Sequence, residues 1–297
     1  MLAQVEQPAK GLRAEAAILG SAGETSLQEL RVQGRKVLVH LPAGDGSARP
    51  LPLVLALHGG GGHAGLMADD SRYGWQREAD QGGFIVAFPN GASRLPGGRL
   101  ATWNAGGCCG YARDQTVDDV AFLRAVVAEL AGRYRIDSAR VFATGMSNGG
   151  MMAHRLACDA ADLFRAVASV AGTDASAHCQ PSRPVSVLHI HARDDDHVLY
   201  AGGAGPNAFR DRRSVMEFVS VPQTVARWVL RDQCHSAAQP VLQVVGASCV
   251  AYGDCAAGVR VQLCSTDTGG HSWPGPAAPI DATREIWRFF SASASQP

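Results

Sequence analysis

"RVFATGMSNGGMMAHRLAC", residues 140–158, changes its periodicity half-way along. Residues 140–145 read as a buried strand, a short apolar run with β-branched and aromatic members, and the stretch from Gly149 onward reads as a helix. Between them stands Gly145-Met146-Ser147-Asn148-Gly149, a G-x-S-x-G on a strand-to-helix turn. Its glycines leave room for a sharp turn that lifts the serine hydroxyl clear of a sheet, and the following helix aims its first N–H groups at whatever binds there. In a chain with 34 glycines the pentapeptide alone says little. The flanking strand and helix carry the reading of Ser147 as a nucleophile, against a structural turn in which Ser147 caps the helix.

Outward from this turn, apolar β-branched runs recur at 36–42, 51–58, 83–88, 166–172, 185–192 and 259–264. Residues 116–134 set Val117, Val120, Phe122, Leu123, Val126, Val127 and Leu130 at helical spacing, with Thr116 as the expected cap, and 221–232 and 281–290 are amphipathic. Near-continuous hydrophobic strands alternating with helices predict an α/β fold, a mostly parallel sheet covered on both faces with its chemistry at the strand C-termini. No repeat or long linker interrupts the chain after residue 50. Residues 35–297 therefore read as a single domain, with 1–34 as an N-terminal extension or edge strand.

A nucleophilic serine needs donors for the oxyanion it creates, a base and an acid. "LHGGGGHAG" (57–65) follows the strand at 51–58 and offers N–H groups free of side chains, so the expected oxyanion hole is the amides of Asn148 and Gly60. A phosphate-binding loop would end in Gly-Lys-Ser/Thr, whereas His63 and Ala64 stand there. "HIHARDDDHV" (189–198) closes another strand where the acid belongs, and "GGHSWPG" (269–275) places His271 before the last helix, giving the order Ser, acid, His. A metal-dependent hydrolase built on His189 and His191 is the rival, but binuclear zinc spacing wants Asp and His at positions held by Arg193 and Asp194. Adjacent Cys108 and Cys109 raise a cysteine nucleophile, for which no strand-to-helix elbow is present.

Taken together, "LHGGGG", "TWNAGGCCGYA", "VDDVAFLRAVV", "RVFATGMSNGGMMAHRLAC", "RPVSVLHIHARDDDHVLYAGG" and "GGHSWPG" resemble the α/β-hydrolases that group polyhydroxybutyrate depolymerases with feruloyl esterases, over about residues 35–290. The resemblance implies an α/β-hydrolase fold and a serine esterase with Ser147 as nucleophile, His271 as base and Asp195 as acid, with Asp194 and Asp196 as register alternatives. The family pattern is departed from at Ala192, Arg193 and Leu199. It also implies that the loop of Trp103 and Asn104 reaches the cleft; Trp273, two residues past His271, and Tyr200, just after the acid loop, join Trp103 as the expected substrate-binding residues. No cofactor and no metal are implied. The substrate is expected to be a feruloyl or related soluble aryl or short-chain ester, with polyhydroxyalkanoate as the alternative. The chain ends at Pro297 without a polymer-binding module, which favours the smaller ester. A catalytically silent member of the fold is the remaining alternative.

Composition narrows the partners. Lys+Arg and Asp+Glu both total 27, so no basic surface points to nucleic acid or an anionic membrane, and no apolar run spans a bilayer. A small-molecule or oligomeric ester remains. Eight cysteines, an even number without paired C-x-x-C spacing, favour disulfides over free thiols or zinc. Cys158 and Cys179 read as structural, and the four between 234 and 264 as stapling an extension beside the histidine loop. A secreted or periplasmic location is expected, with any leader already removed; a cytoplasmic one stays open.

Overall fold

The computed structural model describes residues 27–43, 49–208 and 217–294. Ten strands form one sheet: β1 (Gln28–Val32), β2 (Arg35–His40), β3 (Leu51–Leu57), β4 (Ile85–Pro89), β5 (Ile136–Met146), β6 (Ala166–Val170), β7 (Ser186–Ala192), β8 (Gln239–Val244), β9 (Ala247–Tyr252) and β10 (Val261–Thr266). Their spatial order is β1-β2-β4-β3-β5-β6-β7-β10-β9-β8. Strands β4, β3, β5, β6, β7 and β10 run parallel, while β1 and β2 at one edge and β9 and β8 at the other are antiparallel to their neighbours.

Strands β3, β4, β6 and β7 are buried along their whole length, as parallel strands with helices on both faces must be. Alternate residues feed opposite faces. Leu53, Leu55, Leu57, Val167 and Val187 pack towards α5 (Asp119–Arg133), α6 (Asn148–Asp159) and α7 (Val221–Arg231). Val54, Ala56, Ala168, Leu188 and Ile190 pack on the other side, towards α1 (Ala64–Met67), α3 (Trp75–Gly82) and α8 (Ala282–Ala294). Short helices α2 (Asp70–Tyr73) and α4 (Gly110–Asp114) complete the described set.

Two local expectations are corrected. Asp118, not Thr116, caps α5: its carboxylate accepts from the Ala121 amide at 2.9 Å, while Thr116 sits at φ 49° in the turn before it. The β8–β9 hairpin was not expected as strands. Its pairing slips between Pro240 and Leu242 and its β8 residues are mostly exposed, so it carries no clear apolar alternation.

Disulfides join Cys158 to Cys179, Cys234 to Cys255, Cys249 to Cys264 and Cys108 to Cys109. The first ties the end of α6 to the loop before β7. Cys249–Cys264 bridges directly opposed residues of β9 and β10, so the extension is stapled to the strand that carries the histidine loop. No helix among the described residues is long and apolar enough to cross a membrane.

Candidate active site

Ser147 lies between the end of β5 and the start of α6 at φ 53°, ψ −120°, a backbone region that non-glycine residues rarely occupy. Tight packing holds it there. The Ser147 amide donates to Val170 O at 2.8 Å and its carbonyl accepts from Met151 N at 2.9 Å. A Cβ on Gly145 would stand 2.5 Å from the Gly149 carbonyl carbon, and one on Gly149 would run into the carbonyls of Leu57 and His58. Both glycines of the pentapeptide are therefore required by close backbone approach. The Ser147 side chain makes no capping hydrogen bond to α6, so the helix-cap reading has no support.

Asn148 opens α6, and the first amides of a helix have no carbonyl behind them within it. The glycine loop comes up beside it: a Cβ on Gly60 would be in ordinary contact with the Asn148 Cβ at 3.6 Å, and one on Gly59 with the Ser147 Cβ at the same distance. Gly61 and Gly62 donate within the loop region, to Ala101 O and Gly59 O. Gly60 and Asn148 thus flank Ser147 as the expected oxyanion donors. The Asn148 side chain adds a clamp that the motif did not reveal. Its Oδ1 accepts from Trp103 N at 2.7 Å and its Nδ2 donates to Trp103 O at 2.9 Å.

The three aspartates after β7 engage different groups. Asp195 is buried; its Oδ1 accepts from the amides of His197 and Val198 at 2.8 and 2.9 Å, and its Oδ2 from His271 Nδ1 at 2.8 Å. Asp194 accepts from the amides of Gly269 and Gly270, and so holds the loop that presents the histidine. Asp196 pairs with His197 Nδ1 and Asn207 Nδ2, both at 2.6 Å. Burial alone would raise the Asp195 pKa. Hydrogen bonds from His191 and His271, with the adjacent imidazole charge and the His197 amide, outweigh it and hold the carboxyl well below the usual range. With Nδ1 committed to Asp195, His271 keeps Nε2 for proton transfer. Ser147, Asp195 and His271 follow the C-terminal ends of β5, β7 and β10, three parallel strands of one sheet, so all three stand on one edge.

The expected pocket walls fare differently. Trp103 is completely buried, lies 5.1 Å from the His58 ring and 6.5 Å from Phe122, and donates Nε1–H to His58 O at 2.9 Å. A ring enclosed in this way packs against the glycine loop through the His58 carbonyl. Trp273 is half-buried, edge-on to Tyr73 and Trp75, with Nε1–H donated to Thr283 Oγ1. Tyr200 is hydrogen-bonded to Ser265 Oγ at 2.8 Å.

The rival metal reading meets an obstacle at His189 and His191, whose ring nitrogens are engaged in hydrogen bonds inside the core. Asp195, His197 and His271 do bring one donor atom each within 4.8 Å of one another. The His197 and His271 rings, however, stack with centroids 4.5 Å apart and planes 14° from parallel, so their in-plane lone pairs do not converge on one cation.

Known proteins resemble the chain in sequence and in fold. The family model described as esterase PHB depolymerase matches residues 36–226. The chain belongs to that family. A feruloyl esterase B of Piromyces equi is 31% identical over 243 residues, 80% of this chain and 42% of that protein. A putative esterase, NocK, of Nocardia uniformis subsp. tsuyamanensis is 34% identical over 274 residues, covering 86% of this chain and 76% of the relative. The chain thus spans well under half of the first and about three quarters of the second. An acetyl xylan esterase from Aspergillus awamori has the same fold, with a TM-score of 0.60 at 17% identity over 90% of this chain and 99% of that one. The α/β-hydrolase expectation is borne out by this sheet order and these neighbours.

Proposed function

We propose that the chain is a serine carboxylic ester hydrolase working through a Ser147 acyl-enzyme. The observation that carries this reading is the 2.8 Å bond between His271 Nδ1 and buried Asp195, on the sheet edge that also bears the strained Ser147. His271 Nε2 takes the Ser147 proton as the hydroxyl attacks the ester carbonyl, and returns it to the leaving alcohol. Asp195, kept ionised, stabilises the imidazolium and holds its orientation. The oxyanion is met by the amides of Gly60 and Asn148. Water then repeats the cycle on the acyl-enzyme. Ser147→Ala is expected to lower kcat by on the order of 10⁴ or more with the fold intact. Retention of activity within tenfold, or failure of a serine-directed phosphonate to label the wild type, would remove the reading and favour a silent member of the fold.

Feruloyl or related soluble aryl and short-chain esters are the substrate reading, supported by the relatives named feruloyl esterase. Polyhydroxyalkanoate is the second reading, supported by the family description. Methyl ferulate and short aryl esters are expected to turn over, and polyhydroxybutyrate film to clear slowly. Rapid clearing without methyl ferulate turnover would reverse the order. Four disulfides support a secreted or periplasmic location.

A further inference from the structure

Three histidines outside the catalytic constellation, His154 on α6 and His189 and His191 on β7, form a buried file behind Asp195. Each is 1% exposed or less. Alternation along β7 turns His189 and His191 to the same face as Val187, towards α6 and α7. The indole Nε1–H of Trp228 on α7 can only donate, and it lies 3.0 Å from His154 Nδ1. That nitrogen is therefore the bare one, and the His154 proton sits on Nε2, 3.4 Å from His189 Nδ1, with the Gly172 backbone also hydrogen-bonded to the ring. His189 Nε2 in turn stands 3.1 Å from His191 Nδ1. His191 Nε2 ends the file 2.8 Å from the Val198 carbonyl and 3.3 Å from Asp195 Oδ2, both of which can only accept.

A donor-only group at one end and acceptor-only groups at the other leave a single assignment for three neutral rings. Every ring carries its proton on Nε2, and the last proton lies between the Val198 carbonyl at 2.8 Å and Asp195 Oδ2 at 3.3 Å. Neighbouring ring planes lie 23° and 14° from parallel, as N–H···N bonds between near-coplanar rings require. Burial pushes His154 down to about 4 and His189 well below the ordinary imidazole value, which keeps these rings neutral.

We propose that His191 is a positioning residue for the catalytic carboxylate, and that Trp228, His154 and His189 hold it in the tautomer that donates to Asp195. Reversing the file would turn a bare His191 nitrogen towards two oxygens, so the carboxylate would lose a donor on the oxygen that receives His271. This rests on Asp195 being the acid of the triad. The tautomers themselves do not: loss of the triad reading through an active Asp195→Asn would leave them standing.

The test is ¹⁵N NMR of the full chain with labelled histidine. His154, His189 and His191 are expected as neutral Nε2–H tautomers at neutral pH. An Nδ1–H tautomer or an imidazolium at His189 or His191 would overturn the proposal. Kinetically, His191→Phe keeps the ring shape and loses the donor, and is expected to lower kcat by on the order of tenfold at unchanged KM, with His191→Gln restoring most of the loss. Equal losses in both, or a loss carried by KM, would overturn it. Should His191→Phe not fold, Trp228→Phe reads the same file from its far end. Freed of the donor, His154 and His189 are expected to show mixed tautomers with a reduced kcat, and an unchanged Nε2–H pattern would overturn the role of Trp228.

Discussion

Three consecutive aspartates with three different partners make residues 194–196 a natural experiment in how one carboxylate becomes an acid of catalysis. Asp195→Asn keeps the volume but removes the charge that faces His271 Nδ1, and is expected to lower kcat by on the order of 10⁴. Asp194→Asn still offers one oxygen to the Gly269 and Gly270 amides, and Asp196→Asn disturbs only His197 and Asn207, so both are expected within about tenfold of wild type. Kinetics of the three variants on one aryl ester check this, and equal mild losses would move the acid elsewhere. Ser147 and His271 were legible because their signals are local, a turn motif between a strand and a helix and a glycine-flanked histidine after a strand. The choice among the aspartates came only from family register. His191 was legible only as a possible metal ligand, and the Asn148 side chain carried no signal of its own, because its partner Trp103 is 45 residues away in the chain.

At the scale of elements, the loop at 101–110 shows why a tryptophan near a nucleophile need not touch substrate. Its backbone is clamped by Asn148 and by Asp119, whose Oδ2 accepts from Asn104 N at 2.7 Å, and Asp119 is itself paired with Arg35 at 2.8 Å. The Trp103 ring then fills the space between His58 and Phe122. Trp103→Ala is expected to cost about 3–5 kcal/mol of stability, as for other large core truncations. It should lower activity on aryl and acetyl esters alike. Urea denaturation and a two-substrate comparison check it; a stable variant with selective loss of aryl esters would return Trp103 to the cleft. Composition could not separate the two roles, since an aromatic in a glycine-rich loop looks the same from outside whichever way its ring turns. The interior strands were legible for the opposite reason: burial on both faces writes an unbroken apolar run.

For the whole molecule, acid stability is decided by buried groups of opposite sign. Burial pushes His58 and His154 down from 6.5 to about 4, and pushes His189 well below the ordinary imidazole value. Between pH 6.5 and 4 the unfolded chain takes up these protons and the folded chain does not, so their contribution is complete above about 6.5 and is lost as pH falls towards 4, at about 3 kcal/mol for His58 and for His154. Asp232 opposes them. Burial raises its carboxyl from 3.8 to about 7; its Oδ1 accepts from Val185 N, and its Oδ2 has no hydrogen-bond partner among the described residues. Here the folded state holds the extra proton, so this contribution is complete below about 3.8 and is lost as pH rises through 7, at about 4 kcal/mol. Burial also raises the carboxyls of Asp119 and Glu78, but the three histidines dominate, and the unfolding free energy is expected to rise between pH 4.5 and 6.5, then level off or dip near 7. Asp232→Asn keeps the acceptor for Val185 N and removes the opposing titration, so its rise over the same interval should be steeper than that of the wild type. Denaturant titrations of both proteins at pH 4.5, 5.5, 6.5 and 7.5 measure this directly. Parallel curves would mean that Asp232 titrates like an ordinary carboxyl, and a flat wild-type curve would mean that the core histidines are already charged in the folded protein.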